Sequence, residues 1–442
     1  MIMRVSFICF IYVLFLPCLT YPHIVPKFQD NKIPLADLVR LLENEQLILL
    51  HPPQKKKLPI GDGKKQEFNV RFVTTLSVID APIQRVREVV TDFLNYHEFM
   101  PQTETSTIIS KTKDHVVHEV KLSVNVPLIH IGFRFTLDYF MEPDGDITWS
   151  CVKGDIKGNV GRYEFIALSP NRTMIVMTYW AELQGIGFLM RLLLRMQPDL
   201  ELAIPISSGS LIVDAIKKRS EMAPKAAQPN LKKLPWHPDI PLMTQSGLPI
   251  DMLQLLSRIG TLIFVHQQQW IQTKSNKPIP VQFITAAARM QGPIKAVKPL
   301  VSNFSRYPEF MYQIKYAKQK MTYDGMLVDW RLQIGFSIIR FNVDFVMDYE
   351  WESNTILTYH CKSGDIEKSY GCWEWLSLSD NQTMTFFTTA IPMDSKVPFI
   401  FKLTQMIPNS QVVMGVSSTV VPIEKMTPWV EDQVLETMNL YQ

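Results

Sequence analysis

The chain has 442 residues and a formal net charge of +3, long enough for two or three domains with a sizeable core in each. A balance so near neutrality does not call for a polyanion, so no nucleic-acid partner is implied. The local basic runs Lys55-Lys56-Lys57 and Lys217-Lys218-Arg219 read as solvated loop or helix-end charge rather than as an anionic-surface contact.

At the N-terminus, Arg4 precedes residues 5–16, which are apolar apart from Ser6, and the charge-free Pro17-Cys18-Leu19-Thr20 follows. One basic residue, a short apolar run and a polar break describe a signal peptide over residues 1–20. The expectation is an exported protein, periplasmic or secreted, with an uncleaved membrane anchor as the alternative. No later stretch is long and charge-free enough to span a bilayer. A loose segment to about Asn31 is expected, then a helix over residues 33–42, where Pro34 suits the first turn. A strand over residues 47–51 and a polar, turn-rich loop over residues 57–66 come next, then a strand over residues 68–79. Ala81-Pro82 opens a helix with Ile83, Val86, Val89, Val90 and Phe93 on one face. Beyond it, His118, Val120, Leu122, Val124 and Val126 alternate with polar residues, and Phe133, Phe135, Leu137 and Tyr139 line one face of the next strand. Period two predicts an antiparallel sheet with one buried and one wet face, and places Asp138 on the wet side. A long apolar helical region, broken at Pro198, closes the unit over residues 187–219.

The chain then repeats itself. Val90-Thr91-Asp92-Phe93-Leu94-Asn95-Tyr96-His97-Glu98-Phe99-Met100 returns as Val301-Ser302-Asn303-Phe304-Ser305-Arg306-Tyr307-Pro308-Glu309-Phe310-Met311. Cys151 through Glu164 returns with the same spacing as Cys361 through Glu374, and Asp138 as Asp348. Repetition of this length predicts two similar domains. We place them at residues 32–222 (core 66–222) and 248–430 (core 281–430), with a Pro-, Lys- and Gln-rich linker over residues 223–247 and a tail over residues 431–442. The second C-terminal helix is expected over residues 398–426, broken at Pro408. Pro299, inside the second copy of the first core helix, is expected to kink or shorten it.

Catalytic and metal signatures are absent from the sequence, so no catalytic residue, metal or cofactor is assigned. His115 and His118 lie three apart on a strand and so on opposite faces. His51 and His266 match between repeats without a ligand partner nearby. Glu164 and Glu374 repeat, opposite the aromatic face of their strand, and read as surface or hydrogen-bonded structural acids rather than general acid–base groups. Ser207-Ser208-Gly209-Ser210 reads as close helix packing. Cys151, Cys361 and Cys372 read as three buried thiols; a Cys361–Cys372 disulfide is the alternative.

Four features carry a resemblance: Ala81-Pro82 ahead of the helix, residues 90–101, Gly154-Asp155-Ile156, and Gly161-Arg162-Tyr163-Glu164-Phe165. Together they resemble the START-like (SRPBCC) helix-grip superfamily, in its coenzyme Q-binding and polyketide cyclase-like branch, present as a tandem repeat. The resemblance implies an α+β fold of two tandem helix-grip domains, each a curved antiparallel sheet wrapped on a long C-terminal helix. It also implies a cavity between sheet and helix for a hydrophobic small molecule or lipid, an isoprenoid quinone or similar. Lining candidates are Val120, Leu122, Val124, Phe133, Phe135, Tyr139, Trp149 and Tyr163 in the first repeat. In the second they are Trp330, Leu332, Ile334, Phe345, Tyr349, Tyr359 and Trp373. Plain core packing is the rival reading, and Trp330 and Trp373 are large enough to fill the second cavity. Tyr96, Phe99 and Met100 are placed at the cavity mouth, either exposed for ligand or transient membrane-surface contact, or seating the segment on the sheet. The functional expectation is an exported carrier or sensor, with a cyclase- or hydrolase-type enzyme and a structural or interaction protein as alternatives. No oligomeric state is assigned.

Overall fold

The computed structural model describes residues 24–126, 129–222, 234–272, 278–336, 339–392 and 410–439. The first half runs α1 (Leu35–Leu42), β1 (Gln46–Leu50), β2 (Gln54–Gly61), β3 (Lys64–Val70), β4 (Val73–Ile79), α2 (Ile83–Val90), α3 (Tyr96–Phe99) and β5 (Thr103–Lys111). It continues through β6 (His115–Val126), β7 (Ile129–Met141), β8 (Ile147–Gly154), β9 (Val160–Ser169), β10 (Arg172–Trp180), α4 (Gly187–Met196) and α5 (Leu200–Ser220). The second half repeats the order with α6 (Ile250–Ile259), β11 (Thr261–Val265), β12 (Gln269–Ile271), β13 (Ile279–Val281), β14 (Ile284–Gln291) and α7 (Ile294–Val301). After a 3-10 turn at Phe304–Glu309 come β15 (Ile314–Met321), β16 (Gly325–Phe336), β17 (Ile339–Ser353), β18 (Ile356–Gly364), β19 (Tyr370–Ser379), β20 (Gln382–Ala390) and α8 (Ser410–Asn439). Each half is a helix-grip unit, α+β.

The two grips share one sheet. Its sixteen strands run β15-β16-β17-β18-β19-β20-β14-β11-β1-β4-β10-β9-β8-β7-β6-β5. The junction is an antiparallel pairing of equivalent strands, Leu47 with Phe264, Ile48 with Ile263 and Leu49 with Leu262. Because Ile48 and Ile263 occupy matching places in the repeat, the pairing is a local two-fold. One sheet face carries the core that includes α2, α5, α7 and α8. The opposite face, expected to be wet, is covered at the junction: Leu38, Leu41 and Leu42 of α1 and Met252, Leu253 and Leu256 of α6 bury Leu47, Leu49, Leu262 and Phe264. An amphipathic helix ahead of each first strand supplies that second layer, so alternation alone misjudges the centre of the sheet.

Several local expectations change. The loop expected over residues 57–66 is the β2–β3 hairpin, paired from Gln54–Val70 to Gly61–Lys64. Its turn takes positive φ at Gly61, Asp62 and Gly63, which glycine and aspartate tolerate. The strand expected from residue 68 is accordingly split between β3 and β4. Pro299 does not shorten its helix, since α7 and α2 both span eight residues; one missing N–H removes a single backbone bond. The break at Pro198 falls between α4 and α5 as expected, whereas the region of Pro408 lies outside the described residues. The second C-terminal helix passes Met426 and continues through the expected tail to Asn439, with Pro422 and Pro428 inside it. The segment ahead of residue 32 holds a 3-10 turn at Phe28–Asn31, repeated at Met243–Gln245 inside the expected linker. All three described cysteines are free thiols, with Cys361 only half-buried; Cys372 sits opposite Thr358 across the ladder, out of register for Cys361.

Candidate functional site

In the first half the concave face is built by β6, β7, β8 and β9 beneath α2, α3 and α5. Inward alternation brings Val120, Phe133, Phe135, Tyr139, Trp149 and Tyr163 together, all buried, with Leu122 half-buried beside them. The side chain of Val124 lies outside the described residues. Tyr139 sits 4.6 Å from Phe93 and 6.0 Å from Trp149, whose ring is 4.9 Å from Tyr163. Trp149 lies over Gly161, where a Cβ would meet its ring at 2.0 Å, so this glycine makes room for the indole. Trp149 Nε1 donates to Asn159 Oδ1 at 3.1 Å. Burial pushes the Tyr139 and Tyr163 hydroxyls well above their ordinary range, so both stay protonated.

The expected mouth is largely closed. Tyr96 and Met100 are buried and Phe99 is half-buried, so this segment is seated on the sheet rather than exposed. The Tyr96 hydroxyl donates to the Val90 carbonyl, and the Arg219 guanidinium lies 5.3 Å from the Phe99 ring centre.

The second half packs the equivalent space with a different set of rings, larger at three positions and smaller where Phe133, Trp149 and Tyr179 are matched by Val343, Tyr359 and Thr389. Trp373 stacks on Phe387 at 4.0 Å with 9° between planes. Trp330 packs against Phe304 and Tyr307, each at 5.6 Å, and against Phe345 at 6.2 Å. Tyr349 stacks on Phe304 at 4.4 Å, and Tyr359 donates its hydroxyl to Thr389 Oγ1 at 2.6 Å. Leu332 and Ile334 are half-buried at the rim. The places of Trp330, Trp373 and Phe387 are taken in the first half by Val120, Tyr163 and Met177, all smaller.

Polar constellations inside the sheet were not assigned from sequence as such. Glu164 accepts the Phe28 N–H at 2.7 Å and the Gln29 N–H at 3.1 Å. Glu374 does the same for Met243 and Thr244, at 2.8 and 2.9 Å. Both acids are fully buried and pin the 3-10 turn that begins each unit, a structural task; their repetition at identical spacing was the available signal. Burial raises the Glu164 pKa against those two donors. His51 Nε2 meets Thr74 Oγ1 at 2.8 Å, and Thr74 meets Thr178 at 2.8 Å; His266, Thr285 and Thr388 repeat the chain at 2.7 and 2.7 Å. Burial, then Arg71, lowers the His51 pKa to about 4. His115 and His118 do separate: His115 pairs with Asp138, while His118 is buried beside Phe93.

Clefts formed by the described residues include the following two. One, of about 20 Å³, lies at Ile24, Val25, Phe140 and Trp149. The other, of about 380 Å³, lies at Pro26, Lys27, Asp30, His51 and Ile259. Neither lies between sheet and C-terminal helix. No group of residues able to hold a metal ion occurs among the described residues.

Residues 79–200 match the family model described as polyketide cyclase / dehydrase and lipid transport. No curated protein matches the chain. Among solved structures, the chain is similar to the Zhui aromatase/cyclase of a Streptomyces species, at 18 % identity over 34 % of this chain and 95 % of that one, with a TM-score of 0.27. It is similar to the di-domain ARO/CYC StfQ of the steffimycin biosynthetic pathway, at 9 % identity over 81 % and 95 %, with a TM-score of 0.27. It is also similar to the human StAR-related lipid transfer protein 5, at 15 % identity over 38 % and 86 %, with a TM-score of 0.28.

Proposed function

The chain is a tandem pair of START-like helix-grip domains, and from that premise we propose an exported, non-enzymatic carrier or sensor of a hydrophobic ligand. The ligand is a lipid, an isoprenoid quinone or similar, held on the concave face of the first domain. The observation that carries this reading is the continuous apolar lining of the first concave face, where Val120, Phe133, Phe135, Tyr139, Trp149 and Tyr163 are brought together beneath the C-terminal helix. Residues 79–200, which match a family described in part by lipid transport, lie in the first domain.

Contact with a membrane surface falls to α4, which lies between the last strand and the C-terminal helix. Met190 and Leu194 of α4 are buried in the core, whereas Phe188 is 72 % exposed and Arg191 and Arg195 face outward. An apolar tip flanked by two arginines suits transient contact with an anionic lipid surface. The apolar leader over residues 5–16 supports the export part of this reading; no helix among the described residues is long and apolar enough to cross a membrane.

Organic extraction of the purified protein followed by lipid mass spectrometry tests the reading. A stoichiometric lipid or quinone is expected, and an empty extract from folded protein overturns it. Cosedimentation with vesicles of mixed phosphatidylcholine and phosphatidylserine tests the contact: Phe188→Ser is expected to lower the bound fraction severalfold, and unchanged binding removes α4 from the account.

A further inference from the structure

Ser106 and His118 form a polar pair within the concave face of the first domain, and the second domain has no such pair. Across the ladders, Ser106 faces Val120 and His118 faces Leu137. The matching places in the second domain are Ala317, facing Trp330, and Val328, facing Met347. The fold therefore builds this corner once from Val120, Ser106 and His118 and once from Trp330, Ala317 and Val328.

The hydrogen bonds fix the imidazole tautomer. Ser106 Oγ donates its one proton to the Phe93 carbonyl, which can only accept. His118 Nε2, 2.6 Å from the same Oγ, must then be the N–H that donates into it. Burial lowers the His118 pKa to about 4, so the ring is neutral near pH 7. Nδ1 is left as a bare lone pair, buried and without a partner among the described residues. An orphaned acceptor in a core is a standing cost, and among the described residues a histidine nitrogen is the only such acceptor at this corner, since Ala317 and Val328 carry none. The imidazole is ringed by Phe93 at 5.0 Å, Tyr96 at 5.3 Å and Tyr139 at 6.0 Å.

We propose that His118 Nδ1 accepts a hydrogen bond from the hydroxyl of the carried ligand, which is thereby a long apolar molecule ending in an alcohol or phenol. This rests on the carrier reading above and narrows it: a fully oxidised quinone or an ester offers no donor to a lone pair. The polar end lies deep, beside His118, and the apolar stem follows Val120 and Leu122 on β6 and Phe135 on β7 toward the half-buried rim. Phe93 and Tyr96, which cover the imidazole, belong to the short segment between α2 and β5, so a ligand reaches Nδ1 by shifting that segment rather than a strand.

Dodecanol and dodecyl fluoride are close in size and differ in the donor proton. Each is titrated against the full chain loaded with anilinonaphthalenesulfonate, using wild type and a Ser106→Ala, His118→Val double variant that copies the second domain. The alcohol-to-fluoride affinity ratio is expected to be about tenfold higher in wild type than in the variant, the size of one buried hydrogen bond. An equal ratio in both overturns this proposal and leaves the carrier reading standing; displacement by neither compound overturns both. If the variant fails to melt cooperatively, imidazole nitrogen NMR of the wild type decides. A bare His118 Nδ1 that responds to dodecanol and not to the fluoride supports the proposal, and a proton on Nδ1 overturns it.

Discussion

Glu164 and His118 show how differently buried polar groups are satisfied in this protein. Glu164 faces two backbone N–H groups and holds a turn in place, whereas His118 keeps one nitrogen unpaired. Their effects on acid stability have opposite signs. His51 and His118 titrate near 4 in the fold and near 6.5 in the unfolded chain. Between those values the unfolded state binds more protons, so their contribution is present above about pH 6.5 and is lost as pH falls toward 4. Each histidine is worth about 3 kcal/mol over that window. Glu164, with its pKa raised, works the other way and offsets part of the loss. Urea unfolding at pH 7, 6, 5 and 4.5 is expected to show a steep fall in stability, shallower in His118→Val; a flat profile sinks the assignment. Sequence showed that Glu164 and Glu374 match, but not what they bind, because their partners lie 136 and 131 residues away.

At the scale of elements, α8 departs most from expectation. Its last turns are integral: Val430 and Val434 are buried, and Trp429 stacks on Phe310 at 4.7 Å beneath the Arg306 guanidinium. Glu431 accepts the Gln291 N–H at 2.9 Å, as Glu221, just past α5, accepts that of Asp80 at 3.0 Å. Ending the chain at Pro428 is expected to cost about 3 kcal/mol or more from the two valines alone. Denaturation midpoints read this directly, and an unchanged midpoint would show that these turns hang free. The sequence reading stopped this helix near residue 426; the helix runs on with Pro422 and Pro428 inside it, because packing against the sheet outweighs the backbone bonds that two prolines remove. The β2–β3 hairpin was missed for a related reason, since three consecutive lysines hide a strand whose alternate residues face solvent.

For the whole molecule, the consequential feature is the pairing of β1 with β11. It removes two sheet edges at once and buries α1 and α6 side by side. Residues 24–222 expressed alone would expose both β1 and the apolar side of α1. Because the junction is a local two-fold between equivalent strands, the isolated half is expected to dimerise through its own β1. Light scattering coupled to size exclusion checks this, and a stable monomer would show that the halves need no such cover.

Alternation in residues 116–139 and their repeat was sufficient for two antiparallel sheets, because strand period is a local property; the helix-grip expectation rested on the resemblance carried by residues 81–82, 90–101, 154–156 and 161–165. The inward set from Val120 to Trp373 was equally legible, since the pleat alone decides which side chains share a face. Two matters were left to the tertiary structure: the joining of two sheets into one, and the lone acceptor on His118. Each depends on contacts between separate elements, where sequence spacing carries no distance information.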